Sequence, residues 1–139
     1  RLRHLGRLDR LPKGVQGSIQ EAVELTKNND VITVCLAFDY GGRAEILQAV
    51  QRIVRKGVDP DSIDEALLSR YLYTDGIPDP DLIIRTAGEM RLSNFLIWQS
   101  AYSEYYFTSK PWPDFDSEEI RKSLLAYSHR QRRFGGIGV

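Results

Sequence analysis

The eight residues Val31-Ile32-Thr33-Val34-Cys35-Leu36-Ala37-Phe38 constrain the fold more than any other part of the chain. They are apolar and β-branched almost throughout, without the polar alternation of a half-solvated strand. That is the pattern of a strand covered on both faces within a parallel sheet. The run is too short to cross a bilayer. A strand buried on both sides needs helices above and below it, and the rest of the chain has the spacing to supply them. Apolar residues recur at helical intervals in Val15, Ile19, Ala22 and Val23, and again in Ile46, Val50, Ile53 and Val54. Ser62 with Glu65 reads as a capping box for a helix carrying Ile63, Ala66 and Leu67, and Asp116 with Glu119 as the start of a last helix bearing Ile120, Leu124 and Tyr127. The stretch Phe95-Leu96-Ile97-Trp98 reads as a further helix opening at Ser93. Short strands are expected in Arg1-Leu2-Arg3-His4-Leu5, Leu82-Ile83-Ile84 and Tyr105-Tyr106-Phe107. Four strands interleaved with five helices predict an α/β fold with a mainly parallel sheet and helices on both faces.

Composition narrows the classes of function. The 139 residues suit a single domain, and 42% apolar with 27% charged residues is the balance of a chain that buries a core. Nineteen Lys and Arg offset nineteen Asp and Glu, which argues against nucleic acid as a partner and makes any cationic site local. The single Cys35 cannot form an intrachain disulfide and reads as a small core residue, in keeping with a reducing cytoplasmic compartment. His4 and His129 lack metal-ligand spacing.

In open α/β sheets ligands bind beyond the carboxyl ends of strands, so the loops after Phe38 and Ile84 are the places to look. The second holds Arg85, Thr86, Ala87, Gly88, Glu89, Met90, Arg91, Leu92 and Ser93. Two guanidinium forks, a hydroxyl and the backbone N–H groups of a helix start make a site for a phosphate or diphosphate. The same residues equally describe an ordinary N-cap at Ser93, an ion-pair partner in Glu89 and two solvated arginines. In the first loop, Asp39-Tyr40-Gly41-Gly42-Arg43, the glycines allow close backbone approach to a ligand or simply a turn. Glu104, beside Tyr102, is either a hard oxygen ligand for Mg2+ or a surface charge. Arg130, Arg132 and Arg133, ahead of Phe134-Gly135-Gly136, suit the end of a helix.

These segments, taken in order, resemble the cis-prenyltransferases, the family of undecaprenyl and decaprenyl diphosphate synthases. The resemblance is carried by Tyr40-Gly41-Gly42-Arg43, Glu45-Ile46, Asp81-Leu82-Ile83-Ile84-Arg85-Thr86-Ala87-Gly88-Glu89, Arg91-Leu92-Ser93-Asn94-Phe95-Leu96-Ile97-Trp98-Gln99, Tyr102, Glu104, Phe107, Trp112-Pro113-Asp114-Phe115 and Arg132-Arg133-Phe134-Gly135-Gly136. It covers nearly all of the chain.

The resemblance implies a transferase that condenses isopentenyl diphosphate with an allylic diphosphate, such as farnesyl diphosphate, to give a cis-polyprenyl diphosphate of the kind used as a cell wall lipid carrier. It implies that Arg85, Arg91 and Ser93 hold the diphosphate of isopentenyl diphosphate, that Glu89 supports them, and that Glu104 helps bind Mg2+. It further implies a homodimer in which Arg133 and Gly135 reach the substrate of the other subunit. With no membrane-spanning segment, contact with a membrane would be peripheral and through the lipid product. Asp39 stands where the family usually has Asn, and Met90 where some members have His. The family's Asp-Gly-Asn-x-Arg-Trp motif, which supplies the catalytic Asp, does not occur in the sequence. The expectation is therefore that residues 1–139 form the C-terminal portion of one catalytic domain, without its N-terminal part and inactive alone. The competing expectation is a non-catalytic partner subunit of a heteromeric cis-prenyltransferase.

Overall fold

The structure is a computed structural model and describes residues 1–130. The chain divides into two compact units, Arg1–Ile77 and Pro78–Val139.

In the first unit the order is β1 (Leu2–Leu5), α1 (Lys13–Thr26), β2 (Val34–Ala37), α2 (Gly42–Arg55) and α3 (Glu65–Ser69). β1 and β2 pair in parallel, with Leu2 opposite Val34 and Leu5 opposite Ala37, and α1 crosses between them and packs on β1. Such a pair needs a long crossover, and α1 provides it. Leu5, Ile19, Ala49, Ile53 and Leu72 form the buried apolar core.

Here β2 has four residues, not eight. A ladder lasts only as long as its partner, and β1 is followed by Gly6 at φ +120°. Val31 and Ile32 precede the strand and are exposed, as are Val34, Leu36 and Phe38, and Cys35 is half-buried. The expected strand covered on both faces, with Cys35 in the core, is thus corrected.

α2 also turns a different stripe inward. Gly42, Glu45, Ala49 and Ile53 are buried, whereas Val50 and Val54 face solvent. The cause is Glu45, only 2% exposed. Its carboxylate accepts a hydrogen bond from the Tyr40 hydroxyl at 2.6 Å and another from the Tyr73 backbone N–H at 2.7 Å. A buried charge survives only when bonded in this way, and a rule that assigns Glu to solvent misplaces the stripe. α3 is capped by Asp64, which accepts from the Leu67 N–H at 2.6 Å, and not by Ser62, whose hydroxyl donates to the Asp59 carbonyl at 2.7 Å.

In the second unit β3 (Leu82–Arg85) pairs in parallel with β4 (Glu104–Phe107), and α4 (Ser117–Ser128) packs on β4. Asp116 caps α4 as expected, accepting from the Glu119 N–H at 2.9 Å. No helix opens at Ser93. Ser93, Asn94 and Leu96 have φ of +49°, +65° and +45°, which a right-handed helix excludes, and the segment is a series of turns. Four α-helices, not five, stand among the described residues. α4 repeats the lesson of α2: Glu119 and Ser123 are buried, while Ile120 and Leu124 are exposed.

Candidate functional site

β3 delivers Arg85 to its carboxyl end, where the chain turns sharply. Ala87 and Gly88 both adopt left-handed backbone, with φ of +64° and +69°. The corner is tied to the residues after β4: the Ala87 N–H donates to the Lys110 carbonyl and the Gly88 N–H to the Thr108 carbonyl, both at 2.8 Å. Thr108 in turn donates its N–H to the Arg85 carbonyl at 3.0 Å. Left-handed backbone at a residue with a side chain costs on the order of 1 kcal/mol or more and gathers at functional sites. Among the described residues five non-glycines adopt it: Asp39, two residues past the end of β2, and Ala87, Ser93, Asn94 and Leu96, all after β3. The strain therefore sits in the two loops that strand polarity marks for ligands.

Beyond the corner lies a cleft of about 360 Å³. Ile83, Ile84, Leu92 and Phe95 give it an apolar floor, and Arg85, Glu89 and Arg91 bring charge to it. Glu89 and Arg91 form an ion pair, in which the Arg91 side chain is 64% exposed. Arg85 has no ion-pair partner among the described residues, so its fork is available to an anion. Of the residues singled out in the sequence, the cleft thus unites Arg85, Glu89 and Arg91. Ser93 lies outside its lining, exposed on a turn, and with no helix beginning there neither an N-cap nor a helix dipole contributes.

Glu104 lies apart from the cleft. In the β3–β4 ladder it faces Leu82, while Arg85 faces Phe107, which separates the two residues by three ladder positions, or about 10 Å. Glu104 accepts from the Arg130 guanidinium at 2.6 Å. No group of three His, Cys, Asp or Glu able to hold a metal occurs among the described residues. Arg132, Arg133 and Gly135 lie outside the described residues.

Sequence reading missed the supports of the corner. Glu119 reaches from α4 to β4 and accepts from the Tyr106 hydroxyl at 3.0 Å and the Thr108 hydroxyl at 3.3 Å. Lys110 pairs with Asp116 at 3.2 Å and with Glu119 at 3.4 Å. The Tyr106 hydrogen bond, with help from Lys122 and Lys110, holds the Glu119 carboxyl below its ordinary range, and the same bond pushes the Tyr106 phenol up. The available signal was the Asp116 and Glu119 spacing, which identifies the cap but not where the Glu119 side chain goes.

The α/β scaffold thus places two guanidiniums beside an apolar cleft at the carboxyl end of a parallel strand. The chain belongs to the undecaprenyl diphosphate synthase family of prenyltransferases, whose sequence model, described as "Putative undecaprenyl diphosphate synthase", matches residues 1–135. It is 54% identical over 132 residues to an isoprenyl transferase of Fusobacterium nucleatum, a match that covers 95% of this chain and 56% of that protein. It is 50% identical over 137 residues to an isoprenyl transferase of Staphylococcus haemolyticus, covering 96% of this chain and 54% of that protein. Among solved structures, lavandulyl diphosphate synthase from Lavandula x intermedia, in complex with dimethylallyl diphosphate, superimposes with a TM-score of 0.92 at 40% identity, over 97% of this chain and 60% of that one. A probable undecaprenyl diphosphate synthase from Campylobacter jejuni gives a TM-score of 0.85 at 36% identity, over 97% of this chain and 62% of that one. The chain therefore spans little more than half the length of the proteins it matches.

Proposed function

We propose that residues 1–139 form the C-terminal, isopentenyl diphosphate-binding portion of a cis-prenyltransferase catalytic domain, which condenses that substrate with an allylic diphosphate. The observation that carries this reading is the meeting, in one cleft, of Arg85, which has no ion-pair partner among the described residues, with the Glu89–Arg91 ion pair, above an apolar floor. The two forks bind the diphosphate oxygens, and Ile83, Ile84, Leu92 and Phe95 take the five-carbon chain. Holding the incoming double bond in one orientation toward the allylic carbon is the main task left to this half. Ser93, exposed beside the cleft, is proposed to reach a substrate that projects out of it.

Mg2+ is commonly held by one or two carboxylates together with substrate phosphates and water. The described residues fit that use to the extent of one carboxylate, Glu104, which here is paired with Arg130. When bound, the ion would neutralise charge on the leaving diphosphate. The catalytic Asp is proposed to come from outside residues 1–139, and Arg133 and Gly135 to act across a homodimer. A cytoplasmic site of action belongs to the same proposal. No helix among the described residues is long and apolar enough to cross a membrane.

A chimera tests the proposal: residues 1–139 replace the matching part of the Fusobacterium nucleatum isoprenyl transferase. The expected result is a cis-polyprenyl diphosphate made from isopentenyl and allylic diphosphates. A folded chimera that makes none would contradict the proposal and favour a non-catalytic partner subunit.

A further inference from the structure

The first unit holds a second cationic cleft, of about 360 Å³, that the proposed transfer reaction does not use. Its lining is Arg7, Gln48, Gln51, Arg52 and Arg55, three guanidiniums and two amides with no carboxylate among them. Gln48, Gln51, Arg52 and Arg55 follow the i, i+3, i+4, i+7 spacing of one face of α2. Arg7 arrives from a different segment, and its arrival depends on Gly6. At φ +120° a Cβ on Gly6 would stand 2.3 Å from the Phe38 carbonyl oxygen, so only glycine brings the chain this close before Arg7 donates its N–H to the Asp39 carbonyl at 3.1 Å.

The donors are arranged in advance. Arg7 is forked on Asp9 through Nε at 3.1 Å and Nη2 at 2.7 Å, which leaves Nη1. Arg52 donates Nη1 to the Tyr71 carbonyl at 2.9 Å, and its guanidinium lies 5.4 Å from the centre of the Tyr71 ring. The Tyr73 hydroxyl donates to Gln48 Oε1 and so leaves the Gln48 NH2 to donate elsewhere. Arg55 has no ion-pair or hydrogen-bond partner among the described residues. Arginines in the last turn of a helix complement its dipole, which accounts for Arg52 and Arg55 but not for Arg7 or the two glutamines. Like charges three residues apart on a helix repel, and no carboxylate in the lining relieves them.

We propose that this cleft is a binding site for a phosphoryl dianion, a diphosphate group in particular. Three arginines less the Asp9 carboxylate leave two positive charges, which match such an anion, and five converging side chains offer the planar donors that phosphoryl oxygens accept. The group is carried either by a soluble diphosphate or by a lipid whose headgroup ends in a phosphate monoester, since both present a terminal phosphoryl group.

The test titrates inorganic diphosphate into the chain by calorimetry at fixed ionic strength, beside co-sedimentation with vesicles containing phosphatidic acid, whose headgroup is a phosphate monoester. Arg55→Gln, an exposed change that leaves the core alone, is compared with Arg85→Gln, and circular dichroism confirms that both fold. The expected result is a binding component weakened at least tenfold by Arg55→Gln and untouched by Arg85→Gln. The same pattern with vesicles alone also supports the site and identifies the lipid headgroup as its source. If Arg55→Gln changes neither measurement, or if Arg85→Gln alone abolishes all diphosphate binding, the site does not exist. Loss of only the Arg85-dependent component would bear on the proposed transferase cleft and not on this one.

Discussion

Glu104 and Arg85 stand at opposite ends of one parallel ladder, Glu104 across from Leu82 and Arg85 across from Phe107. A separation of about 10 Å along the strands makes their contributions separable by experiment. Glu104→Gln keeps the shape of the side chain and loses the charge that a hard cation prefers. In the chimera it is expected to lower activity and raise the Mg2+ concentration needed for half-maximal rate. Diphosphate binding measured without metal should not change. An unaltered Mg2+ titration would leave Glu104 as no more than the ion-pair partner of Arg130.

Glu119 predicts a pH dependence. Its carboxyl is held below the ordinary range chiefly by the Tyr106 hydrogen bond, and that of Asp116 chiefly by the Glu119 backbone N–H. A carboxyl with a lowered folded-state pKa adds stability that is fully present above its unfolded value, near 4, and is lost as pH falls through the folded value. Tm should therefore hold at neutral pH and fall on acidification below about pH 4. Glu119→Gln should lower Tm at pH 7 and flatten the acid limb, as read by thermal melts across the pH range. An acid limb identical to that of the unsubstituted chain would show that the Tyr106 contact does not stabilise the fold.

Gly6→Ala meets both a left-handed backbone and the Phe38 carbonyl oxygen 2.3 Å away. The cost should be at least about 1–3 kcal/mol. Gly14→Ala, in α1 with nothing within 4 Å of the added Cβ, should be neutral or slightly stabilising. Urea denaturation of the two variants measures the contrast, and equal midpoints would contradict the Gly6 geometry.

How much of this was legible in the sequence differs by residue type. The α/β alternation, the parallel pairing and the loop after Ile84 could be read because apolar spacing and strand polarity report them directly. The inward faces of α2 and α4 could not, because each is turned by a buried carboxylate, Glu45 or Glu119, whose partners come from elsewhere in the chain. Ser93 looked like a helix start because Ser before an apolar run is an N-cap signal, but left-handed backbone at Ser93, Asn94 and Leu96 overrides that local preference. Arg85 and Arg91 were visible by type alone. That Glu89 pairs with Arg91, while Arg85 has no ion-pair partner among the described residues, depends on how the loop folds and not on residue type.

The 139-residue chain contains no Asp-Gly-Asn-x-Arg-Trp motif. Incubated with farnesyl diphosphate, isopentenyl diphosphate and Mg2+, a verified polypeptide of these residues alone should form no prenyl product by radiolabel extraction. Product formation would show that the catalytic groups lie within it.

The central claim is that Arg85 and Arg91 hold the diphosphate of isopentenyl diphosphate, and calorimetric titration of that ligand into the chain tests it most directly. Arg85→Ala removes a charge-assisted fork and should cost on the order of 2–4 kcal/mol, a loss of roughly thirtyfold or more in affinity. Arg91→Ala should cost a similar amount, and Arg55→Gln should leave this binding component unchanged. An isotherm that stays the same in Arg85→Ala and Arg91→Ala, with both variants folded, would contradict the assignment of the cleft.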